Sequence, residues 1–127
     1  MTKQKILIIE DDKDQLKGLL ARLRMSGYDV VTATDAITAI SATRKADPDL
    51  ILLDIGLPAG DGFLVLQRLE DMGLNTMPVI ILSGRDPWQN EEKALAAGAV
   101  AFLQKPVDNN VLLTTISKEL GPIKKSA

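Results

Sequence analysis

The chain has 127 residues, 46% of them hydrophobic and 25% charged, with a formal net charge of −2. That size suits one domain with a real core, and the slight negative charge without a basic run argues against a nucleic-acid-binding surface. Cysteine and histidine are both absent, which excludes disulfides, thiolate metal sites and imidazole chemistry and leaves carboxylates, hydroxyls and amines.

Ile6-Leu7-Ile8-Ile9 is a continuous apolar run, as expected of a strand covered on both faces. Leu16, Leu19, Leu20 and Leu23 follow at helical spacing, and Gly27 closes that helix. Asp29 to Ala33 is the second strand. Asp35 can cap a helix through Ile37, Ile40 and Ala42, which Asp47-Pro48-Asp49 breaks. Leu50-Ile51-Leu52-Leu53 is the third strand, and Asp61-Gly62 opens a helix to about Asp71, with Gly73 beyond. Pro78 to Leu82 is the fourth strand. Asp86-Pro87-Trp88-Gln89 is a helix start with an N-cap, a proline at the first helical position and a capping-box glutamine. Ala94 to Ala97 carry that helix and Gly98 ends it. Ala101 to Gln104 is the short fifth strand, and Asp108 caps a last helix bearing Leu112, Ile116 and Leu120.

Strands alternating with helices predict an α/β fold: a doubly wound, five-stranded parallel sheet with helices on both faces. Ligands of such folds bind beyond the carboxyl ends of the strands. The expectation is one domain over 1–127, with its core from about 5 to 120. No apolar run approaches a membrane span. Met1 to Gln4 enter the first strand without a signal-peptide core, so the cytoplasm is the expected compartment.

Four signals follow apolar runs. Glu10-Asp11-Asp12 places adjacent carboxylates at a strand end, where they repel unless a cation or solvent screens them. A hard divalent ion with oxygen ligands, Mg2+ with retained waters, would relieve this. Asp12 itself is better read as the cap of the next helix. Asp54 ends the third run, and its carboxylate could act as a nucleophile that forms an acyl phosphate and as a metal ligand beside Asp11. The Gly56 backbone carbonyl could complete the metal sphere, while Pro58 and Gly60 to Gly62 turn the loop. Ser83 is a poor nucleophile without a histidine, but can donate to a phosphoryl oxygen, and Gly84 leaves room for that group. The Lys105 ammonium could neutralise phosphoryl oxygens. Each signal alone is an ordinary loop acid, turn or surface lysine; together they make one pocket.

ILIIEDD, LLDIGLPAGDG, ILSGRD and FLQKP, in order and on the expected elements, resemble the signatures of a response-regulator receiver domain of bacterial two-component systems. The resemblance runs from about Lys5 to Leu120. It implies the flavodoxin-like (βα)5 fold with strand order 2-1-3-4-5. It implies a signalling phosphoacceptor rather than an enzyme, with self-phosphorylation and autodephosphorylation chemistry of its own. Asp54 resembles the residue that takes a phosphoryl group from a histidine kinase or phosphotransfer protein. Glu10, Asp11, Asp54 and the Gly56 carbonyl resemble the Mg2+ site, which Mn2+ could also fill. Ser83 and Lys105 resemble the phosphoryl-contacting pair, and Phe102 the switching aromatic, without the commoner tyrosine's hydroxyl. The implied output is a changed face of the fourth helix, fifth strand and fifth helix. That face would meet a downstream protein or domain, with no direct binding to nucleic acid or membrane. Trp88 lies near that face or packs on its own loop. Homodimerisation on phosphorylation fits such a domain, although no residue argues for it. Beside the site, Gly56 offers no side chain to gate water, whereas Arg85 could reach across.

A haloacid-dehalogenase-like phosphatase would need a second acid two residues after the nucleophile, where Gly56 stands. A nucleotide or flavin module on this architecture would need a phosphate cradle, and neither GxGxxG nor GxxxxGK[ST] is present. A receiver that serves only as a binding surface is the third alternative, distinguished by its failure to take a phosphoryl group.

Overall fold

A computed structural model describes residues 3–56, 62–84 and 87–121. Ten elements alternate strictly: β1 (Lys5–Ile9), α1 (Lys13–Met25), β2 (Asp29–Ala33), α2 (Ala36–Ala46), β3 (Leu50–Asp54), α3 (Gly62–Asp71), β4 (Val79–Ser83), α4 (Pro87–Ala96), β5 (Ala101–Gln104) and α5 (Asn109–Leu120). The strands form one parallel sheet in the order β2-β1-β3-β4-β5, as the resemblance implied. Strand order reverses between β1 and β3, the position at which α/β sheets open a crevice.

Side-chain alternation along the strands divides the interior into two cores. Leu7, Ile9, Ile51, Leu53, Val79 and Ile81 face one side, with Ala36 and Ala39 of α2, Val65, Leu66 and Leu69 of α3, and Ala94 of α4. Ile6, Ile8, Leu50, Leu52, Ile80 and Leu82 face the other, with Leu19 and Leu23 of α1 and Leu112 and Ile116 of α5. This is why β1, β3 and β4 read as unbroken apolar runs: both faces are covered.

The helix starts carry the acidic caps expected from the sequence. Asp12, Asp35 and Asp108 accept backbone N–H donors from the first turns of α1, α2 and α5. The helix capped by Asp35 runs through Ile37, Ile40 and Ala42 as expected; Ile37 is 83% exposed on it, and Ala36, Ala39 and Thr43 form the buried face. The close approach of α2 to the sheet is made by small residues, and Ile37 falls outside that stripe. The expected break at Asp47-Pro48-Asp49 takes the form of Asp47 in the left-handed region, at φ 48°; aspartate is among the few side chains that visit that region readily. Expectations placed on Pro58, Gly60, Asp61, Arg85 and Asp86, and on the side chains of Trp88 and Gln89, lie outside the described residues.

Candidate functional site

The strand register gathers the chemistry-bearing residues at one edge. Ile9 is level with Leu53, so Glu10 and Asp54 leave adjacent strands side by side. Asp54 pairs with Leu82, and Ser83 with Gln104, which sets Ser83 one strand and Lys105 two strands further along. Pairing continues past the strand ends: the Glu10 N–H donates to the Ala33 carbonyl at 3.0 Å, and the Lys105 N–H to the Ser83 carbonyl at 2.8 Å. Asp54 is itself the last residue of β3 and Ser83 the last of β4. Their side chains are therefore anchored to the sheet rather than to loops.

Glu10 is 1% exposed and Asp54 9%. Lys105 Nζ lies 2.5 Å from Glu10 Oε1 and 3.5 Å from Asp54 Oδ2. The other Glu10 oxygen accepts the Asp12 N–H at 3.3 Å, and Asp54 Oδ1 accepts the Gly56 N–H at 2.9 Å. The loop after β3 thus folds back on the carboxylate so closely that a Cβ on Gly56 would stand 3.4 Å from Asp54 Oδ1. Gly62, where α3 begins, has no room for a side chain at all: a Cβ there would meet the Ile55 backbone at 2.6 Å. Gly62 thus lets α3 start tight against the residue that follows Asp54.

Burial pushes the Glu10 carboxyl up to about 7, and the neighbouring Asp54 carboxylate adds to the rise while Lys105 opposes it. One carboxylate oxygen from each of Glu10, Asp11 and Asp54 lies within 4.8 Å of the other two. Three converging oxygens, one of them exposed to water on Asp11, match the donor set of a hard divalent cation that keeps part of its hydration. The residues present fit such an ion, and the cost of charge on Glu10 is what a cation would remove.

Ser83 is 1% exposed at the same edge. Gly84 follows it, and a Cβ there would meet nothing within 4 Å, so open space lies where a side chain of residue 84 would stand. Phe102 is partly buried against the core beneath α2, α3 and α4. The Lys105–Pro106 peptide is cis.

One participant was not singled out from the sequence. Gln15, on the first turn of α1, accepts a hydrogen bond from Lys105 Nζ through its Oε1 at 2.5 Å. Asp12-x-x-Gln15 is a capping-box pattern, and that pattern is the signal that could have drawn attention to it. In a capping box the glutamine would reach back to the Asp12 N–H. Here that N–H is taken by Glu10, and the Gln15 carbonyl turns to Lys105 instead. A cleft of about 460 Å³ runs from this point between α1 and the loop after β5, lined by Gly18, Leu19, Arg22, Pro106 and Val107.

Among the described residues no helix is long and apolar enough to cross a membrane. Residues 6–117 match the family model of the response regulator receiver domain. The chain is 39% identical over 106 residues to the transcriptional regulatory protein PrrA of Mycobacterium bovis, covering 84% of this chain and 45% of that protein. It is 34% identical over 113 residues to the response regulator PleD of Caulobacter vibrioides, covering 88% of this chain and 25% of that protein. The chain therefore spans at most about half the length of these curated relatives. The crystal structure of a CheY-like response regulator receiver domain protein from Methanospirillum hungatei superposes with a TM-score of 0.86 at 30% identity, covering 94% of each chain. A putative response regulator from Chloroflexus aurantiacus gives 0.88 at 26%, covering 95% of this chain and all of that one. Fold, edge chemistry and family model agree, and the chain belongs to the response regulator receiver domains, the signalling domains of two-component systems.

Proposed function

We propose that the domain is a phosphoacceptor switch in which Asp54 takes a phosphoryl group from a phosphohistidine of a kinase or phosphotransfer protein. The observation that carries this reading is the Lys105 ammonium, held between the buried Glu10 carboxylate and Asp54 at the edge of the sheet. An Asp54 oxygen attacks phosphorus in line with the phosphorus–nitrogen bond. A phosphorus–oxygen bond forms, the phosphorus–nitrogen bond breaks, and its electron pair goes to the ring nitrogen; the ring, which has taken a proton from solvent on its other nitrogen, leaves as neutral imidazole. Lys105 neutralises the phosphoryl oxygens as they approach. Glu10, Asp11, Asp54 and the Gly56 carbonyl hold Mg2+, or Mn2+ in its place, which supplies charge neutralisation between the carboxylate and the incoming phosphoryl group when bound.

In the product, Ser83 donates its hydroxyl to a phosphoryl oxygen, and Phe102 turns inward beside it. That biases a pre-existing equilibrium and reshapes the α4-β5-α5 face for an output protein or domain. Several relatives carry the name of transcriptional regulators, which supports an output in gene regulation through that partner. The domain itself acts in the cytoplasm without touching nucleic acid, and pairing of two phosphorylated copies is one form the output could take.

The test is incubation with acetyl phosphate, with and without Mg2+, read by intact mass beside Asp54→Asn. One added phosphoryl group that requires Mg2+ and is absent from the variant is the expected result. No adduct under rapid quenching would overturn the reading in favour of a binding-only domain.

A further inference from the structure

We infer that Gln15 is a positioning residue for the phosphoryl-transfer site: its side-chain carbonyl fixes the direction of the Lys105 ammonium. An ammonium has three donors. One goes to Glu10 Oε1 and one to Gln15 Oε1, each at 2.5 Å. The remaining donor is left for the side on which Asp54 Oδ2 lies, 3.5 Å away. That gap exceeds a charge-assisted hydrogen bond, and a phosphoryl group on Asp54 supplies the acceptor oxygens to fill it. Glu10 alone would let the ammonium swing about a single contact. With Gln15 as second acceptor, its third donor has one direction.

The place of Gln15 is itself determined. It lies on the first turn of α1, whose N-cap is Asp12. Asp12 in turn accepts the Gln15 backbone N–H at 3.0 Å and the Asp14 N–H at 2.9 Å. The cap that starts α1 thereby reaches the reacting centre through one glutamine. Glutamine suits this place because it accepts from Lys105 without adding a fourth carboxylate to Glu10, Asp11 and Asp54.

This inference rests on the phosphoacceptor reading, and its test separates the two. Gln15 is exposed, so Gln15→Leu should fold as the parent does. In protein carrying 15N-lysine, the Lys105 side-chain NH3+ resonance should be resolved in the parent and averaged in Gln15→Leu; this readout does not depend on phosphorylation. With acetyl phosphate and Mg2+, Gln15→Leu should react about three- to tenfold more slowly, the loss expected for one hydrogen bond to a charged group at an open site. Beryllofluoride affinity should fall by a similar factor while Mg2+ affinity is unchanged. In a Lys105→Met background the Gln15→Leu change should cost nothing further. An unaltered Lys105 resonance and rate in Gln15→Leu, or the same loss in the Lys105→Met background, would overturn the inference. A parent that shows the resonance change with Gln15→Leu yet takes no phosphoryl group would leave the positioning role standing and sink the phosphoacceptor reading.

Discussion

Glu10 shows what a parallel sheet edge does to a single side chain. As an isolated glutamate it would be charged at neutral pH; here burial and the Asp54 carboxylate push it up to about 7. Without metal, the folded protein binds a proton that the unfolded chain releases near 4.5. Stability from this group is therefore present below that value and lost as pH rises through about 7. Glu10→Gln keeps an acceptor for Lys105 and removes the charge. Thermal unfolding in a chelator should show the variant several degrees more stable than the parent above that pH, with the difference vanishing in mild acid. Added Mg2+ should stabilise the parent and not the variant. Of the site residues, Glu10, Asp11, Asp54, Ser83 and Lys105 were legible in the sequence because each stands directly at a strand end. Gln15 was not. It occupies an ordinary helical position, and only the approach of the loop after β5 to α1 brings Lys105 to it, 90 residues away in sequence.

Among the elements, the helix starts were the most legible, because a capping aspartate acts on donors two or three residues along the chain. Asp35 accepts the Thr38 N–H at 2.7 Å and the Thr38 hydroxyl at 2.9 Å. The Thr38 backbone and then its hydroxyl hold the Asp35 carboxyl below its usual 3.8. Its contribution to stability is thus present above that value and lost as pH falls through the folded one. Asp35→Ala should lower the melting temperature at neutral pH, and the gap to the parent should close in acid, as measured by circular dichroism at a series of pH values. The buried face of α2 was less legible. Alanine and threonine carry little hydropathy signal, so nothing in the sequence marked Ala36, Ala39 and Thr43 as the inward face, whereas Ile37 is 83% exposed. Packing distance to the sheet, set by neighbouring strands, decides that small residues face inward there.

For the whole molecule, the two cores share the same strands, so damage to either should be felt by both. Leu52 and Leu53 are adjacent and fully buried, yet belong to opposite cores. Each leucine-to-alanine change should cost about 2–5 kcal/mol. Urea unfolding followed by fluorescence and by circular dichroism should give one coincident transition in both variants. The alternating pattern of apolar runs and amphipathic segments was enough by itself to determine an α/β class with a parallel sheet, because strands covered on both faces must be apolar at every position. It also fixed which residues stand at strand ends, since that depends only on where each run stops. Strand order came from likeness to a family rather than from the pattern, which is the same for any order of covered strands. Apart from that likeness, it took the tertiary structure to set β1 beside β3, so that Glu10 meets Asp54 and Lys105 reaches both, and it alone decided that Gln15 holds Lys105. Contacts between residues far apart in the chain depend on which strands are neighbours and on their register, and no local property of the sequence encodes either.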